Sequence, residues 1–334
     1  MPLNGFRLLL VSISLLFSSG ALAQQYTVSD LGSLGGDETV ALGINAAGEV
    51  AGISILGAAS RPFLWTQGAM RDLGLLPGYT SCSAFAVNDR SEVVGGCTGP
   101  DTTEPVAFHW TADGGMTTID VSGTGQAKVA TAINNNGHIT GQLTGPGSTR
   151  AFLYRDGLGL EIGDFAPQGI NDQDQVVGSR RTAVLWDQTG LHDLGALPEA
   201  AGSAAFAIGS DGLIVGESGT GADGEAHAVL WNGYGIANLG TLGGAFAQAS
   251  AISGALIVGS STITPSGDPH AFIYDNNGPG YPVDLNDLIS PDSGWVLKAA
   301  TGINGAGQIV GVGDINGERR SFLLTPVTST PIHR

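Results

Sequence analysis

The stretch Asp193-Leu194-Gly195, Ala205-Phe206-Ala207-Ile208, Ile214-Val215-Gly216 and His227-Ala228-Val229-Leu230-Trp231 decides the fold, because each of its four phrases recurs along the chain. The glycine after the paired aliphatics is the clearest ruler. It stands at Gly52, Gly95, Gly141, Gly178, Gly216, Gly259 and Gly311. The copies are spaced by about 43 residues on average, a period that short strands turn into propeller blades. The expectation is an all-β, seven-bladed β-propeller over residues 24–325, with a C-terminal tail over residues 326–334.

Each repeat holds four strand-like runs. The first reads Ala-x-Ala-Ile-Asn or a relative, as in Ala130-Thr131-Ala132-Ile133-Asn134. The second carries the paired aliphatics. The third is aromatic-rich, as in Phe63-Leu64-Trp65, and the fourth is Asp-Leu-Gly. Tight Asn/Gly turns join the first run to the second, and the Asn in them reads as an Asx-type turn cap. Small residues suit the crowded axis, so the Ala-rich run is placed innermost and Asp-Leu-Gly outermost. The second and third runs are apolar on consecutive residues, as expected of strands buried on both faces. The chain starts with a fourth-type run ending at Leu31 and finishes on a third-type run, Phe322-Leu323-Leu324. The N-terminal run is therefore expected to complete the last blade and close the ring.

Residues 1–23 read as an export signal. Arg7 precedes an apolar run over residues 8–17, and Ala21-Leu22-Ala23 makes a cleavage site. No later stretch is long enough to span a bilayer as a helix. The chain carries 13 Lys+Arg against 30 Asp+Glu, a formal net charge of −17. That surface disfavours nucleic acid and anionic membranes and suits a secreted or periplasmic protein, expected as a monomer. Cys82 and Cys97 flank a hairpin turn over residues 88–91 and share its midpoint, so they are expected to face each other and form a disulfide.

The phrases beginning at Asp30 (DLGSLGG), Ala41 (ALGINAAGEVAG), Asn238 (NLGTLGG), His227 (HAVLW) and His270 (HAFIY) resemble the bacterial extracellular HAF-repeat family. The resemblance covers essentially the whole mature chain. It implies an exported propeller-like repeat protein and carries over no activity. His-Ala-Phe is intact only at His270-Ala271-Phe272; His227 precedes Ala228-Val229, and other copies place Arg61, Val106, Arg150, Thr182 and Ser321 at the His position. A ring of equivalent histidines is thereby excluded.

No Gly-x-Ser-x-Gly, His-Glu-x-x-His, phosphate-loop or Cys-x-x-Cys motif is present. The face carrying the longer connections is the expected ligand face. It holds Asp37, Glu38, Tyr79, Asp101, Glu104, Lys128, Glu199, Asp223, Glu225, His227, Asp268, His270 and Trp295. Gathered carboxylates there would suit Ca²⁺. His227 and His270 sit at equivalent positions of neighbouring repeats. They suit either an acid/base or metal pair, or a repeated structural bond to a loop carbonyl. Asn171-Asp172-Gln173-Asp174 has the look of a Ca²⁺ loop but lacks its Gly and distal Glu. The fourth repeat is short, and its second-to-third connection shrinks to Ser179-Arg180-Arg181, predicting a notch with two arginines for a carboxylate or sulfate. Arg319 is expected opposite Asp314.

The ligand-binding candidates are therefore His227, His270, Tyr79, Arg180, Arg181 and Trp295. The expected role is non-enzymatic binding of a glycan, protein or cell-surface ligand. The alternative is an extracellular polysaccharide lyase or hydrolase using His227, His270, Tyr79 and Arg180. A purely structural matrix filler predicts no well-formed pocket.

Overall fold

The computed structural model describes residues 25–99, 105–121, 127–143, 149–221, 225–233 and 235–327. The export signal, Asp101, Glu104, Asp223 and the tail beyond Val327 lie outside the described residues.

Seven four-stranded antiparallel sheets form the blades of a β-propeller. In blade one the strands run Glu38–Ile44, Val50–Leu56, Ala59–Thr66 and Ala69–Asp72, from inside to outside. Blades two to six repeat this order. Blade seven takes Trp295–Ile303, Ile309–Ile315 and Glu318–Pro326 from the C-terminus, and Tyr26–Asp30 from the N-terminus as its outer strand. The clasp runs from Tyr26 opposite Pro326 to Asp30 opposite Phe322. It extends slightly past the expected end at residue 325, because Val327 still donates to the Gln25 carbonyl at 2.8 Å.

The recurrent glycine is required by close approach. A Cβ on Gly95 would collide with the Ser83 carbonyl of the inner strand and the Phe108 ring of the third; Gly52, Gly141, Gly259 and Gly311 are equivalent. The space the missing side chain leaves is filled by Phe63, Phe108, Phe152, Phe272 and Phe322, each fully buried. Burying one such ring contributes up to about 3 kcal/mol.

All seven inner strands slip register at the same point, between Ala41 and Gly43 in blade one and between Ala84 and Ala86 in blade two. Such a bulge leaves one residue unpaired and re-aims its side chain. The first small residue of the motif is buried between blades, as at Ala41, Ala84, Ala130, Ala205, Ala249 and Ala300. The bulged residue lines the axis instead. Small residues are thus needed at the inter-strand contacts, not at the axis itself.

Asn45, Asn88, Asn134, Asn171 and Asn304 cap their turns as expected, each accepting the backbone N–H four residues on at 2.9–3.0 Å. Each also does something the sequence did not disclose. Its Nδ2 donates to the equivalent carbonyl of the next blade, from Asn304 to Asn45, Asn88, Asn134, Asn171 and finally Gly209. The chain of bonds stops at blades five and six, where Gly209 and Ser253 replace Asn. Cys82 and Cys97 are cross-strand partners in blade two and form the disulfide. No helix among the described residues is long and apolar enough to cross a membrane.

Candidate functional site

Blade four carries a notch for a simple reason. Its second strand, Val176–Ser179, has four residues, whereas the equivalent strands of blades one, six and seven have seven. The hairpin closes early, with the Arg180 N–H donating to the Thr182 carbonyl at 3.0 Å. Arg180 and Arg181 thereby line a cavity of ≈ 590 Å³ with Thr182, Val184, Leu191 and Asp193. A second cavity of ≈ 300 Å³ lies against Thr149, Asp164, Phe165, Ala166, Ser179 and again Arg180. Arg180 is therefore common to both.

The electrostatics of this notch differ from the rest of the surface. Arg61, Arg90, Arg150, Arg155, Arg319 and Arg320 each pair with a carboxylate at 2.6–3.6 Å. Arg71 lies over the Trp110 ring at 4.9 Å. Among the described arginines, Arg180 and Arg181 alone have no side-chain partner, and both are exposed. Asp193 does not neutralise them; it accepts from Thr182 Oγ1 and from the Gly195 N–H, both at 2.8 Å. Two adjacent guanidiniums without a counterion suit a bidentate anionic group. Val184 and Leu191 offer apolar wall beside them.

The remaining candidates are dispersed. His227 Nδ1 bonds Asn238 on its own blade's outer strand at 2.9 Å to Nδ2. His270 Nδ1 lies 2.6 Å from Asp284 on the outer strand of its own blade, blade six. The same cross-strand relationship joins Arg61 to Asp72, Arg150 to Glu161 and Thr182 to Asp193. The polar residue that opens the third strand thus meets the polar residue of the Asp-Leu-Gly phrase. That outer residue also caps its own turn, as Asp72 accepts the Gly74 N–H and Asn238 the Gly240 N–H, both at 2.8 Å. The partner expected for the histidines was a loop carbonyl, and the partner found is this side chain. The signal was present: the two positions are eleven residues apart in four of the five pairs.

Trp295, expected on the ligand face, is 8% exposed and meets the Phe322 ring edge-on at 6.1 Å. It starts the innermost strand of blade seven, so it packs into the core. Tyr79 packs on the cluster around Cys82 and Cys97. Two of the loop-face acids are drawn off into separate ion pairs. Glu38 takes Arg319 at 3.4 Å, and Asp268 takes Lys298 at 3.0 Å. Asp314 does stand opposite Arg319 in register, but its ion-pair partner is Lys298 at 3.7 Å. Among the described residues, no three or more His, Cys, Asp or Glu are gathered to hold a metal ion.

Asp187, Thr189 and His192 form a cluster that the sequence did not announce. Thr189 donates from Oγ1 and N to Asp187 Oδ1, and His192 Nε2 lies 3.1 Å from the same oxygen. The Thr189 bonds, followed by His192, hold the Asp187 carboxyl at about 2. This is no relay, because a single imidazole nitrogen serves both partners. Glu217 is the other distinctive carboxyl. Burial pushes its pKa up, and its Oε2 has no hydrogen-bond partner among the described residues.

No protein-family model matches the sequence, and no curated protein matches it. Solved structures do. The chain is similar to oligogalacturonate lyase from Vibrio parahaemolyticus, at 12% identity and a TM-score of 0.57, over 90% of this chain and 94% of that one. It is similar to the β-propeller domain of the Trilobed protease from Pyrococcus furiosus, at 12% identity and a TM-score of 0.55, over 92% and 100%. It also matches a puromycin hydrolase at 16% identity and a TM-score of 0.54, over 83% of this chain and 50% of that one. At these identities the likeness is one of fold.

Proposed function

We propose that the protein is an exported, non-enzymatic propeller that captures an acidic glycan in the blade-four notch. The observation that carries this reading is the pair Arg180 and Arg181, without side-chain partners among the described residues and lining a ≈ 590 Å³ cavity on a chain of net charge −17. Their forked donors match a carboxylate or sulfate, and Val184 and Leu191 suit the C–H faces of sugar rings. The resemblance to the HAF-repeat family agrees with export, as does the disulfide, which belongs to an oxidising compartment. The net negative charge of the chain lowers affinity for polyanions at a distance, so short oligosaccharides are favoured over long ones.

The test is titration of uronate and sulfated oligosaccharides into the mature protein. Binding should weaken at least about tenfold in Arg180→Ala or Arg181→Ala and persist in part with Lys at either position. Binding of neutral and acidic glycans with equal strength refutes the reading.

A catalytic version of the same site is the second reading. It draws support from the scaffold shared with an oligogalacturonate lyase, which acts on an acidic oligosaccharide by its name. It requires product formation that is lost with Arg180→Ala, measured on the same substrates.

A further inference from the structure

The bulge in every inner strand places one side chain on the axis: Leu42, Phe85, Thr131, Gln168, Phe206, Ser250 and Thr301 in chain order. A tier of branched aliphatics, including Ile44, Val87, Ile170, Ile208 and Ile303, lines the channel next to them. The channel has a volume of ≈ 270 Å³ and opens to solvent.

The side-chain hydroxyl oxygens of this wall already have partners. Thr301 Oγ1 is engaged with the Ala41 carbonyl at 2.8 Å, and Thr131 Oγ1 with the Thr140 carbonyl at 3.4 Å. Ser250 Oγ accepts from Gln248 Nε2 at 3.5 Å. Gln168 alone in the axial ring keeps a side-chain amide with no partner among the described residues. Phe85 and Phe206 belong to blades two and five, three apart in a ring of seven, so they face each other nearly across the axis.

We propose that the axial channel is a second ligand site, taking a small planar aromatic molecule that carries one hydrogen-bonding group. The ring sits between Phe85 and Phe206, where offset or edge-on aromatic contacts are favoured. Its polar atom meets the Gln168 amide, the side of the channel nearest the blade-four notch. The volume suffices: an apolar cavity of about 150 Å³ already holds benzene. This site is independent of the acidic-glycan reading, since none of its side chains lines the notch.

The test uses indole and benzene as probes on the mature protein, followed by calorimetry and by ligand-observed saturation-transfer NMR. Saturable binding of indole is expected. Phe206→Ala and Phe85→Ala should each weaken it about tenfold. Ser250→Phe fills the channel and should abolish it. Gln168→Leu should remove the preference for indole over benzene while benzene still binds, a readout that loss of folding would not produce. Arg180→Ala should leave indole binding unchanged and affect only acidic glycan. Indole that fails to bind, or binds Ser250→Phe as well as the unsubstituted protein, overturns the proposal, provided thermal melting shows both folded.

Discussion

Asn304 of the last blade donates from Nδ2 to the carbonyl oxygen of Asn45 in the first, at 3.0 Å and buried. The two residues are 259 positions apart. The bond therefore acts across the closure of the ring, alongside the strand that Tyr26–Asp30 adds to blade seven. Four more bonds of the same kind follow it from blade to blade.

Removing one member should expose what the ring contributes. Asn88→Ala leaves the buried Asn134 carbonyl and the Glu92 N–H short of a partner. A loss of about 1–3 kcal/mol is expected by chemical denaturation. Gly209→Asn, in the blade-five turn whose Gly209–Leu213 and Gly212–Gly209 backbone bonds match the Asn turns, should instead restore the missing cap once the Asp211 side chain gives way, and raise stability by about 1 kcal/mol. A null result for both would show that the bonds are incidental to blade packing.

The repeated glycine should be intolerant for a steric reason. Gly95→Ala brings a Cβ into the Ser83 carbonyl and the Phe108 ring, and the backbone on one side must shift. A loss of about 3 kcal/mol or failure to fold is expected. Gly305→Ala meets nothing within 4 Å and should be nearly neutral in the same melting assay.

Glu217 should make stability depend on pH. Burial raises its folded-state value above the usual 4.5, so folding favours the protonated form. Its favourable contribution is complete below 4.5 and is lost as pH rises through the raised value. Glu217→Gln should therefore match the unsubstituted protein at about pH 3.5 and be the more stable of the two near pH 7. Parallel stability profiles for the two proteins would overturn this.

The histidine of the repeat should prove structural. Asp284→Asn weakens the His270 contact and should cost on the order of 1 kcal/mol in denaturation. It should leave acidic-glycan binding unchanged. A loss of binding as large as that of Arg180→Ala would move the functional site from blade four to blade six.

Legibility divided along a physical line. The register of Cys82 and Cys97, the order of strands within a blade and the notch at Arg180 and Arg181 were all readable, because each follows from counting residues along a single hairpin. Trp295 was misplaced because a residue at the start of an inner strand reads as loop-face when blade packing is not known. The double role of Asn45 and its counterparts was half-read for the same reason: the turn cap is local, while the bond to the next blade is lateral.

By itself the sequence determined the number of blades, their strand order, the closure by the N-terminal strand and the disulfide, since a periodic pattern and hairpin geometry act over short distances. Only the tertiary structure decided which cations would find partners, which acids would be drawn into ion pairs and which side chains would meet on the axis. Those outcomes depend on lateral contacts between blades roughly 43 residues apart, and such contacts leave no local pattern to read.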